Sequence, residues 1–200
     1  MSLETTINQS ARWLNGCNSL IGEQSLKSST RSRVAAALLH LSIEHHGSMQ
    51  ILVDHKHYGS AFTLLRPQFE AYLRGVWFQL CATDQQIAKF IKNDELPNIG
   101  ELIKDIENVP GYEEGKLSAV KKSVWNKLCG YTHGGYVQVA YRNTANEITS
   151  DYEEPHIIGL ISTACTITLL AAVAFSILVD SGEMANKLVE IHSGIFNESA

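Results

Sequence analysis

The run Leu64-Leu-Arg-Pro-Gln-Phe-Glu-Ala-Tyr-Leu-Arg-Gly-Val-Trp77 decides how the rest of this 200-residue chain is read. A helix drawn through it is apolar on nearly every side, and such a helix is a buried one. Yet it carries Arg66, Glu70 and Arg74. At ~100° per residue, Arg66, Glu70 and Trp77 fall within roughly 40° of one another, with Arg74 just beyond. The i, i+4, i+8 spacing lets Glu70 bridge two guanidinium groups on one stripe. Buried charge is tolerated only when paired. The stripe is therefore either a lock inside a helical bundle or the anion-binding end of a site.

Upstream, residues 4–24 carry Ile7, Ala11, Trp13, Leu14, Cys17 and Leu20 at approximate helical spacing. Ser28, Ser29 and Thr30 offer N-cap oxygens to a second helix over about 30–57, which Gly59 is expected to break. The quoted run belongs to a third helix, about 60–81, where Pro67 predicts a kink or a shifted start. Downstream, short helices are expected near 83–92 and 98–107, and a longer one over 112–130. Val137, Val139 and Tyr141 alternate over too short a run for a sheet and read as an extended loop. Residues 143–150 read as polar linker. Ser150 or Asp151 would cap a long apolar helix, with Pro155 in its first turn and Gly182 closing it. A last short helix reaches about 192. The expectation is an all-α fold in one domain, residues 1–200: a bundle of four or five main helices with short accessory ones.

Composition narrows the function. Sixteen Lys and Arg against twenty-one Asp and Glu give a net charge of −5, so the surface as a whole does not attract nucleic acid, although a local basic pocket can. Cys17, Cys81, Cys129 and Cys165 are far apart with no Cys-x-x-Cys spacing, which favours a reduced protein over a disulfide or zinc framework. The start Met-Ser-Leu-Glu-Thr-Thr lacks signal-peptide features, and a cytoplasmic location is expected. Residues 157–179 are 23 positions without a charge, long enough to span a bilayer. Acidic flanks at Glu153, Glu154, Asp180 and Glu183 favour a buried central helix, with the membrane span as the alternative.

Two motifs carry a resemblance. The Leu-Leu-Arg-Pro-x-Phe-Glu-Ala-Tyr-x-Arg-Gly-x-Trp run, followed by Tyr131-Thr-His-Gly-Gly135, resembles a family of poorly characterised bacterial helical proteins over about residues 35–175. In that family an Arg-x-x-x-Glu helix precedes a short motif ending in His. Its layout is similar to the HEPN class, helical domains common in toxin–antitoxin and phage-defence systems. That likeness implies a HEPN-like up-down bundle, a homodimer, metal-independent ribonuclease activity as in many HEPN members, and RNA or a cognate antitoxin protein as partner. The HEPN signature itself is an Arg and a His a few residues apart, late in the domain, and Arg66 and His133 do not reproduce it. Arg33-Val-Ala-Ala-Ala-Leu-Leu-His40 does so early in the chain, with Glu44 one turn on; a solvated helix face explains that pattern more simply.

Cutting RNA without a metal needs a proton acceptor for the 2′-hydroxyl and a cation for the pentacoordinate phosphate. Histidine suits the first and arginine the second. The candidate site is therefore Arg66, Glu70, Arg74 and His133, with no cofactor. The rival is a non-enzymatic helical interaction module, in which Glu70 neutralises both arginines and His133 caps a helix end or bonds to Glu70. His40 with Glu44, and Glu153-x-x-His156, have metal-ligand spacing, but neither finds a second half. No phosphate-binding glycine loop and no Gly-x-Ser-x-Gly elbow occurs.

Overall fold

Hydroxyl and amide side chains begin four of the helices. Ser2 accepts from the Thr5 amide ahead of α1 (Leu3–Gly22), and Ser29 accepts from Ser32 ahead of α2 (Thr30–Asp54). Thr83 and Asn98 form reciprocal caps with Gln86 and Glu101 at α4 (Asp84–Asn93) and α5 (Ile99–Ile106). The other helices are α3 (Tyr58–Leu80), α6 (Lys116–Thr132), α7 (Tyr136–Ala140), α8 (Glu154–Leu178) and α9 (Gly182–Asn197). The computed structural model describes residues 1–26 and 29–197, so Ser28, one of the expected caps, lies outside the described residues. Among the described residues no strand forms, beyond a single bridge between Asn143 and Ile148. The fold is all-α.

The most extensive helix pair is α2 with α3, and α8 packs on both as well as on α1 and α9. One apolar cluster runs through these interfaces: Trp13 of α1, Leu39 and Met49 of α2, Leu73 and Trp77 of α3, Ile161 of α8 and Leu188 of α9 are almost wholly removed from water. Each such side chain contributes about 1.5–3 kcal/mol. A Cβ at Gly75 would meet Leu39 Cγ at 2.7 Å, so α2 and α3 approach this closely only because residue 75 has no side chain. α5 rests on α3 through the buried Leu102, Ile103 and Ile106.

Several expectations are corrected. Gly59 does not break α2, which ends at Asp54; Lys56 makes the turn with φ 59°, and Gly59 sits inside α3. Its missing side chain makes room for Gln138 and Arg142, whose Oε1 and Nη2 would lie 2.9 and 2.5 Å from a Cβ there. Residues 136–140 are the short helix α7 rather than an extended loop, because Val137 and Tyr141 are one helical turn apart and pack together against the core. The 112–130 helix starts later, at Lys116, after Gly115 in left-handed geometry. α8 begins at Glu154 after Glu153, without a side-chain cap, and Asp180 (φ 60°) ends it; Gly182 opens α9, which continues past residue 192.

The apolar segment 157–179 lies within α8. Among the described residues α8 is the one helix long and apolar enough to cross a membrane, and about half of it is buried inside the protein. Packing on four helices explains its composition. Its open stripe, Gly159, Thr163, Thr166 and Leu170, borders a groove described below.

Candidate functional site

Pro67 lies in the middle of α3 without ending it, and the reason leads to the site. The proline has no N–H for the Thr63 carbonyl one turn earlier. The Thr132 hydroxyl reaches that carbonyl at 3.4 Å, while also bonding to Leu128 O at 3.0 Å. Thr63 Oγ1 in turn shares its one proton between Gly59 O (3.0 Å) and Tyr131 O (3.2 Å), and accepts from Gln138. The two motifs, some 65 residues apart in the chain, are thus joined across the α3–α6 interface.

Each residue of Tyr131-Thr-His-Gly-Gly135 has a part in that junction. Tyr131 is buried and stacks on Phe62, with ring centroids 4.6 Å apart. Tyr152 covers the other parts of this stack, 5.0 Å from Phe62 and 4.6 Å from Tyr141. His133 ends α6, its amide bonded to Cys129 O at 2.9 Å. Gly134 adopts φ 64°, and Gly135 lies so near Gly130 that a Cβ would be 2.9 Å from its Cα. The sharp turn leaves the His133 ring at the surface, aimed back at α3.

There Arg66 meets it. Arg66 Nε donates to Glu70 Oε1 at 2.7 Å, and Nη1 lies 2.7 Å from His133 Nε2 and 3.4 Å from Cys129 Sγ. Arg74 Nη2 donates to the other carboxylate oxygen of Glu70 at 2.9 Å. Guanidinium groups only donate, so His133 Nε2 accepts and the ring is neutral with its proton on Nδ1. The Arg66 guanidinium also lies over the Trp125 ring, 4.8 Å from its centroid. Trp77 turns aside from the stripe and donates to Asp105 of α5 at 2.9 Å.

Two guanidinium groups against one carboxylate leave one positive charge in excess. The cluster is open rather than sealed: side-chain exposure rises from 14% at Glu70 to 20% at Arg66 and 35% at Arg74, and His133 is exposed. Arg66 Nη2 has no protein partner among the described residues, and Arg74 Nε is buried without one. An anion approaching from solvent therefore finds the unused Nη2 donors of Arg66 in a fixed planar fork, while the Arg74 Nε is out of its reach.

The other expected groups stand apart. Arg33, His40 and Glu44 lie on the exposed face of α2 with no bond between them. Among the described residues no three His, Cys, Asp or Glu side chains are grouped to hold a metal. All four cysteines are free, and burial pushes the Cys17 and Cys165 thiols up to about 12, so both pack as small apolar groups.

Two features escaped the sequence reading. One is a buried polar chain. Gln68 Nε2 donates to Thr168 Oγ1 (3.2 Å), which lies 2.9 Å from His46 Nδ1; His46 Nε2 lies 2.9 Å from Ser10 Oγ, which donates to Gln50 Oε1 at 2.5 Å. The chain links α3, α8, α2 and α1, and His46 is fully buried. The other is a groove of about 790 Å³ between α3, α6 and α8, walled by Leu65, Phe69, Val120, Val124, Thr166 and Leu170. Its sequence signal was the spacing of Gly159, Thr163 and Thr166, small or hydroxylated residues on one face of an apolar helix.

Fold and site together define an all-helical protein whose two motifs meet in an open arginine–histidine centre. The chain belongs to the family of unknown function DUF6988, whose model matches residues 39–198 and so includes both motifs. Comparison with curated proteins and with solved structures gives no match.

Proposed function

We propose that this protein binds and cleaves RNA at the Arg66–His133 centre without a metal, as a HEPN-like component of a bacterial defence or toxin–antitoxin system. The observation that carries the reading is the 2.7 Å contact between Arg66 Nη1 and an exposed His133 Nε2. A phosphodiester entering the site competes with His133 for the Arg66 fork. As Arg66 turns to the phosphate oxygens, Nε2 is released to take the 2′-hydroxyl proton. The 2′-oxygen then attacks phosphorus and the bond to the 5′-oxygen breaks. The leaving oxygen takes its proton from the imidazolium, giving a 2′,3′-cyclic phosphate and a 5′-hydroxyl end. Glu70 holds both arginines in register and Arg74 supplies the second cation. We also propose that the protein is cytoplasmic, acts as a homodimer and is held in check by a cognate antitoxin protein. The open apolar groove supports a protein-facing surface.

The test is incubation of the full chain with end-labelled single-stranded RNA in the presence of a chelator, followed by analysis of the new ends. Cyclic phosphate and 5′-hydroxyl ends are expected, with no cut at a position carrying a 2′-deoxy sugar. Cleavage at that deoxy position overturns the mechanism. A second reading, a non-enzymatic interaction module, is favoured by the occupation of both Glu70 oxygens by arginine. It is supported instead if RNA stays intact while Glu70→Ala destabilises the fold by about 2–3 kcal/mol, somewhat below the 3–5 typical of a fully buried pair.

A further inference from the structure

The centre does not end at Arg66. Lys121, Trp125, Cys129 and His133 follow one another at i, i+4, i+8 and i+12 along α6, a slowly winding stripe on the side that meets Arg66. Lys121 Nζ lies 6.0 Å from the Trp125 centroid. Beyond the indole opens a second concavity of about 400 Å³, bordered by Gly100, Ser118, Lys121, Lys122, Trp125 and Asn126. Gly100 matters here: a Cβ at that position would lie 2.9 Å from Lys121 Nζ, so its absence lets the ammonium lie across the start of α5. Neither Lys121 nor Lys122 is paired with a carboxylate among the described residues, whereas the exposed Lys116 and Lys187 are. Glu107 is engaged by the amide (2.8 Å) and hydroxyl (2.5 Å) of Ser118, which borders the same concavity.

We infer that this face of α6, from His133 past Trp125 to the Lys121–Lys122 concavity, is a track for a single-stranded RNA, with a remote phosphate seated on the two lysines. The inference rests on the RNA reading of the Arg66–His133 centre and adds to it the length and form of the substrate. Twelve residues of helix separate Lys121 from His133, about 18 Å, the reach of about five stacked nucleotides at 3.4 Å each. A flat aromatic between cations is the usual means of holding a single strand, because bases stack while phosphates are neutralised. A mononucleotide fills only one end. A duplex offers no unstacked base to the indole.

Trp13 and Trp77 are buried and Trp125 is the partly exposed tryptophan, so quenching of intrinsic fluorescence reports on the track. The test uses non-cleavable 2′-O-methyl oligouridylates of two and five nucleotides, the full wild-type chain and the Lys121→Ala/Lys122→Ala double variant. The wild type should bind the five-mer at least about tenfold more tightly than the two-mer, with quenching by the five-mer. The double variant should lose that advantage while holding the two-mer unchanged, and its salt slope should fall by about 0.7, one single-strand phosphate contact. Equal five-mer affinity in the variant and the wild type, or affinity independent of length, overturns the track. If the length-dependent, lysine-dependent binding is present but natural RNA is not cut, the track stands and only the cleavage reading fails. RNA cut with no effect of the lysines leaves cleavage standing and removes the track.

Discussion

His46 and His133 each sit in a polar cluster where helices meet, and their surroundings give them opposite chemistry. The hydrogen-bond chain through His46 runs in one direction. Ser10 spends its proton on Gln50, so His46 Nε2 donates to Ser10 and Nδ1 accepts from Thr168. At His133 the order is reversed, since Arg66 donates to Nε2 and leaves the proton on Nδ1. Both rings are neutral, in different tautomers. Among the described residues His46 touches no charged group, and burial pushes its pKa down to about 3, so it stays neutral over the whole physiological range. His133 faces solvent beside an unneutralised cation. The comparison separates a histidine buried where four helices meet from one held at the surface beside a cation, where the proposed chemistry needs it.

The largest expected effect lies on the sealed side. His46→Ala removes a buried ring, leaves the Thr168 hydroxyl without its acceptor and takes a donor from Ser10, costing about 3–5 kcal/mol in a urea melt. A cost below 1 kcal/mol would mean that the chain tolerates water or relaxes, and the contrast with His133 would weaken. The next effect is that of pH. The folded-state pKa of His46 is depressed to about 3 from 6.5, so the unfolded chain binds the proton first. Stability is complete above pH 6.5 and declines as pH falls toward 3, by about 2 kcal/mol at pH 5 relative to pH 8. Burial also lowers His45 and His192, which adds to the same slope. Urea melts at pH 8, 6 and 5 check this, and His46→Gln, which does not titrate, should flatten much of the decline.

Legibility in the sequence followed how much each residue's role depends on its own helix. The Arg66–Glu70–Arg74 ladder is local, an i+4 geometry readable from spacing alone, and it forms between the expected pairs. The closeness of His133 to Arg66 depends on how α6 lies across α3 and is not written in any local period; the two-motif resemblance was the signal that pointed to it. His46 is one of several histidines on α2, with nothing in its spacing to single it out, and its partner Ser10 is a small polar residue buried on α1. Polar groups buried in mutual satisfaction leave no hydrophobic trace. The misread short elements have the same cause. Gly59 answers to Gln138 and Arg142, and α7 to the stack around Tyr152, neither of which its own residues announce. The stripe from Lys121 to His133 was readable in principle, being regular i+4, but a lone Trp among lysines on a polar helix reads first as surface.

The central claim is that the His133 centre is chemical rather than structural, and His133→Ala examined by thermal melting and RNA cleavage together tests it most directly. The ring is exposed and makes one side-chain contact of note, so its loss should cost no more than about 1 kcal/mol. Cleavage should fall by about 10²–10⁴-fold, the contribution of a positioned general base. A variant that melts with the wild type and has lost cleavage is the predicted result. A variant that still cuts RNA at the wild-type rate, or one that unfolds as readily as His46→Ala, would contradict the account.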